Sequence, residues 1–121
     1  MSYKSFEEMP VWQKVMDLAV EIFHLTENLP RKEDYGLTSQ MRRSALSILG
    51  NLAEGFGRRH TKDKLNFYYD SRGSLAETKS HLIYGKRVGY FEKEKCNQLE
   101  ALVDDIWKEL NFLIRSMQKN S

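Results

Sequence analysis

Apolar residues recur at steps of three and four along four stretches of the chain, the spacing that gathers them on one face of a helix. In the first, Trp12, Val15, Ala19, Ile22, Thr26 and Leu29 form the row, widened by Met16, Leu18 and Phe23. This predicts a helix over 10–29. Pro10 suits a first turn, Glu7 and Glu8 precede it where the helix dipole favours negative charge, and Pro30 stops it. The loop R-K-E-D-Y-G leads to a second helix over 38–56, with Thr38 or Ser39 as its cap and the row Met41, Ala45, Ile48 and Leu52. Gly55 and Gly57 read as its stop.

Thr61 reads as the N-cap of a third helix over 61–88, with Asp63 in its first turn. Its apolar positions are Leu65, Tyr68, Leu75, Leu82 and Ile83, with Tyr69, Ala76 and Gly85 alongside. Gly89, followed by Tyr90 and Phe91, reads as a stop with its hydrophobic contact. A fourth helix over 92–117 carries the most regular seam: Cys96, Leu99, Val103, Ile106, Leu110, Leu113 and Met117. Nothing alternates with period two. The expected fold is all-α, one domain over 1–121, an antiparallel up-down-up-down four-helix bundle.

The second helix also carries a polar row beside its apolar one: Gln40, Ser44, Ser47, Asn51 and Glu54. Solvent exposure is one account. The other is a subunit interface in which Gln40, Arg43, Ser47, Asn51 and Glu54, with Arg72 and Glu77 of the third helix, fix register. The small residues Ser44, Ser47, Gly50, Gly73 and Ser74 favour the interface, since solvated helix faces ordinarily carry long Lys and Glu.

Charge sharpens this picture. The net charge is only +2, but residues 37–91 hold ten Lys/Arg against four Asp/Glu, while both flanking segments are mildly acidic. Arg42, Arg58, Arg59, Lys62 and Lys64 cluster in or beside the second helix and the turn after it, as residues that could contact phosphate, with Tyr68 and Tyr69 nearby as stacking surface. The alternative is a solvated face balanced by acids on other helices. Cys96 is the sole cysteine, no apolar run resembles a secretion signal, and no segment is long enough to cross a bilayer, so a cytoplasmic protein without a membrane partner is expected.

Catalytic chemistry finds little support. His24, His60 and His81 lie apart, and no H-E-x-x-H, Glu-x-x-His or Cys pair occurs. The segment E-G-F-G-R-R-H-T-K is rich in Gly and base but lacks phosphate-loop spacing and a preceding strand. No catalytic residue, metal, cofactor or small-molecule substrate is expected.

The blocks M-P-V-W-Q-K-V-M-D-L-A-V-E-I-F, Y-G-L-T-S-Q-M-R-R-S-A-L-S-I-L-G-N-L-A-E-G-F-G-R-R, R-G-S-L-A-E-T-K and V-G-Y-F span nearly the whole chain. Through them it resembles the bacterial four helix bundle protein family, also called the ribosomal RNA intervening-sequence protein family. The resemblance implies a ring-like homo-oligomer, a pentamer, with no known enzymatic activity. Some members are encoded within inserts of large-subunit ribosomal RNA genes. A related group, accessory proteins of diversity-generating retroelements, is basic, pentameric, and associates with a reverse transcriptase and nucleic acid. Leu49-Gly50 departs from the family's usual small or Pro-containing pair. The expectation is a non-enzymatic homo-oligomeric bundle that binds RNA or a nucleoprotein through its basic surface. The alternative is a protein-interaction scaffold without nucleic acid.

Overall fold

The computed structural model describes residues 2–120, and the chain is all-α. After a short 3-10 turn at Phe6–Glu8 come α1 (Pro10–Thr26), a second 3-10 turn at Arg31–Glu33, α2 (Leu37–Gly57), α3 (Thr61–Arg87) and α4 (Lys93–Lys119). Each helix packs on its neighbours in the chain and α1 closes on α4, so four helices enclose one core; α2 and α3 share the most extensive contact.

Leu18, Ile22, Met41, Ile48, Leu52, Leu75, Leu82, Ile106 and Leu110 are fully buried. The row in α2 is buried as its spacing predicts. In α1 the buried row is Val11, Val15, Leu18, Ile22 and Thr26, rotated from the expected one, so Trp12 and Ala19 are half-buried and Phe23 is exposed. In α4 the seam holds from Cys96 to Leu110, but Ile114 rather than Leu113 is buried at its end. An unsupercoiled helix drifts against a strict seven-residue repeat, which carries the core face onto the neighbouring position.

The helix ends differ from the expected caps. Thr26 turns its hydroxyl back to the carbonyls of Ile22 (2.8 Å) and Phe23 (3.0 Å), and α1 ends there, three residues short of Leu29. Neither Thr38 nor Ser39 caps α2. Its first N–H, that of Leu37, donates to the Glu33 carboxylate at 3.2 Å. Thr61 is the first residue of α3 and His60 takes the cap position without a side-chain bond.

The α3 terminus matches its sequence signal. Gly89 has φ +85°, its N–H donates to the Lys86 carbonyl and that of Tyr90 to the Gly85 carbonyl, which satisfies two of the orphan carbonyls of the helix end. Gly55 and Gly57, by contrast, are both helical. Gly55 is needed for close approach, since a Cβ there would lie 2.7 Å from the ring of buried Tyr68.

Candidate nucleic-acid and subunit interface

The polar row of α2 divides between the interior and the surface. Ser44 is buried, and its hydroxyl lies 2.8 Å from that of Thr78 on α3. One turn on, the Ser74 hydroxyl donates to Ser47 Oγ at 2.8 Å, and next the buried Ser71 hydroxyl donates to the Ile48 carbonyl at 2.7 Å. Asn51 Nδ2 donates back to the Ser47 carbonyl at 2.8 Å. A polar seam thus joins α2 to α3 inside the chain, each hydroxyl partnered as burial requires. Sequence reading passed over Ser71 and Thr78. Their signal was present: with Ser74 they sit at steps of three and four, matching the serines of α2.

The outer half of the row faces away. Gln40, Arg43, Glu54 and Glu77 are exposed, while Ser47 and Asn51 are half-buried. Glu54 pairs with Arg58 at 3.1 Å and Glu77 with His81 at 3.2 Å. Arg72 turns toward α4 instead: it donates to Asn111 at 2.8 Å, with its guanidinium over the rings of Tyr69 and Trp107.

The basic cluster divides as well. Arg42 is committed to the end of α1, donating to Thr26 Oγ1 (2.8 Å) and the Phe23 carbonyl (3.3 Å) and lying over the Phe23 ring. Lys64 caps α2, donating to the carbonyls of Gly55 (3.3 Å) and Phe56 (2.7 Å), and burial pulls its pKa below the usual lysine value. A cation at a helix C-terminus satisfies orphan carbonyls and opposes the negative end of the dipole. Arg58 is exposed over the Phe67 ring, paired with Glu54. Arg59 and Lys62 project from the α2–α3 corner, exposed, with no hydrogen bond or ion pair among the described residues.

On α3, Lys79 pairs with Asp104 (2.7 Å) and Lys86 with Glu100 (2.7 Å), so acids of α4 pair two of its six Lys and Arg. Among the described residues, no group of three His, Cys, Asp or Glu converges to hold a metal ion, and no helix is long and apolar enough to cross a membrane. The Cys96 thiol is buried, donating to the Leu82 carbonyl, and burial raises its pKa.

The fold is similar to that in the crystal structure of a protein of unknown function from the S23 ribosomal protein family of Bacteroides thetaiotaomicron. The TM-score is 0.77 at 23% identity, over 86% of this chain and 97% of that one. No curated protein matches the chain. Residues 7–112 match the family described as 23S rRNA-intervening sequence protein, and the chain belongs to that family.

Proposed function

We infer that the chain is a non-enzymatic bundle that assembles with copies of itself and binds RNA, or a nucleoprotein, at the α2–α3 corner. The carrying observation is that Arg59 and Lys62 stand exposed there beside Arg58, with no side-chain partner among the described residues, while Arg42 and Lys64 are committed to helix ends. Side chains of this kind supply the sequence-independent phosphate contacts of RNA-binding proteins. The family's description, which refers to 23S rRNA intervening sequences, supports RNA as the polymer.

The up-down-up-down arrangement belongs to the same reading. Ser44, Ser47 and Ile48 meet Thr78, Ser74 and Ser71 in turn, numbers rising on α2 as they fall on α3. A ring-like homo-oligomer, a pentamer, would use the outer α2–α3 face, where Gln40, Arg43, Glu54 and Glu77 are exposed. The cytoplasm suits the unpaired Cys96.

Fluorescence anisotropy with a structured RNA hairpin across a salt series tests the RNA contact. Affinity should fall steeply with salt, and Arg59→Ala/Lys62→Ala should flatten the slope by about 1.5. An affinity indifferent to both changes sinks the reading. A scaffold without nucleic acid is the second reading. It is favoured by the open apolar groove of about 430 Å³ between α3 and α4, lined by Ala76, Ile83, Val103 and Trp107.

A further inference from the structure

We propose that the outward ridge of the C-terminal half of α4 is a second nucleic-acid contact, one that takes unpaired bases on Phe112 and phosphates on Lys108, Arg115 and Lys119. It rests on the reading of the chain as an RNA binder but uses none of the corner residues.

The four side chains follow one another at steps of four, three and four, so they share one stripe of the helix, about 16 Å long at 1.5 Å per residue. All are exposed, and Phe112 is 67% accessible. The charge on this stripe is of one sign. Residues 110–120 contain no Asp or Glu. Of the acids just before it on α4, Asp104 is paired by Lys79 at 2.7 Å, while Asp105 and Glu109 share the single charge of Lys14, which leaves one negative charge at the N-terminal end of the stripe. Lys108, Arg115 and Lys119 have no hydrogen-bond or ion-pair partner among the described residues.

An aromatic left two-thirds accessible on a helix face contributes little burial to the fold. Set among unpaired cations, it makes the combination single-strand binders use: positive charge tracking the backbone and a ring for the base. Phe112 also lines an open hollow of about 590 Å³ beside the N-terminal segment, with Tyr3, Pro10 and Met117 on its walls, which offers further apolar surface to a base. A duplex keeps its bases stacked and would leave Phe112 in water, so the ligand is a single strand.

Two variants and three probes test this: a labelled oligouridylate, a structured RNA hairpin, and vesicles of phosphatidylserine with phosphatidylcholine. Phe112→Ala should weaken oligouridylate binding about tenfold without altering its salt slope. Lys108→Ala/Arg115→Ala/Lys119→Ala should flatten that slope by about 2. Oligouridylate binding unchanged in both variants, with hairpin binding still lost in Arg59→Ala/Lys62→Ala, overturns this inference and leaves the corner reading standing. Hairpin binding indifferent to the corner variant, with oligouridylate binding lost in the α4 variants, does the reverse. A chain that binds the vesicles but neither RNA overturns both.

Discussion

The ring of Phe91 lies directly against the backbone of Gly85: a Cβ built on that glycine would sit 2.1 Å from Phe91 Cε2. Gly85 is in the last turn of α3 and Phe91 is buried just beyond it, so the missing side chain is what lets the α3–α4 turn fold back into the core. Gly85→Ala should therefore destabilise the chain by about 2 kcal/mol, as overpacking does, despite alanine's better helix propensity. Thermal unfolding should show the midpoint lowered by about 10 °C. An unchanged midpoint would mean that Phe91 can move aside without cost.

The hydroxyls of Ser44 and Thr78 form a buried pair between α2 and α3. Thr78→Val leaves shape intact but removes one partner, and should cost about 1–2 kcal/mol in urea unfolding. Ser44→Ala should cost about 1 kcal/mol. Each hydroxyl also reaches a backbone carbonyl, Ser44 that of Met41 and Thr78 that of Ser74, so replacing both should cost less than the sum only by the bond the two share. Additive losses would argue that the two hydroxyls act independently.

Glu33 ties together two loops at one end of the bundle, accepting from the Tyr90 hydroxyl at 2.8 Å and from the Leu37 N–H at 3.2 Å. The Tyr90 hydrogen bond first, then the Leu37 amide, holds its carboxyl below the ordinary pKa of 4.5. The stabilisation is thus complete above pH 4.5 and disappears as pH falls through the lowered value. The same bond raises the Tyr90 pKa above 10.0, so at the alkaline end the contribution is full below pH 10 and lost as pH rises through the raised value. Melting temperatures of wild type, Glu33→Gln and Tyr90→Phe across pH should converge at both extremes and separate between them. Parallel curves would exclude the linkage.

Arg42 and Lys64 are cations whose work is structural. Arg42→Met and Lys64→Met should each lower stability by about 1 kcal/mol through loss of helix-end hydrogen bonds, while leaving RNA affinity within about twofold. Arg59→Ala/Lys62→Ala should do the opposite. A large affinity loss in Arg42→Met without a stability change would reverse these assignments.

The self-association proposed for the outer α2–α3 face can be tested by light scattering. Glu54→Lys/Glu77→Lys changes two exposed positions, so the fold should survive and the measured mass should fall toward that of a 14.3 kDa chain. A wild-type chain already at that mass would end the oligomer reading.

The apolar spacing of the chain determined the number and kind of its helices, because a residue on the wrong face of an amphipathic helix loses its burial. The Gly89 stop was legible for a similar reason: the positive φ of that turn admits few residues but glycine. Helix rotation was less legible. Val11 and Trp12, or Leu113 and Ile114, are equally apolar neighbours, and only the partner helix selects which one it covers. Tertiary structure alone sorted the polar and charged residues. Ser44 and Ser47 look alike in sequence, yet one is buried on Thr78 and the other half-buried on Ser74. Arg42 and Arg59 carry the same charge, yet one is anchored on the end of α1 and the other is exposed with no side-chain partner among the described residues. The free energy of a polar side chain depends on partners distant in the chain, and sequence spacing along one helix carries no information about what stands opposite it.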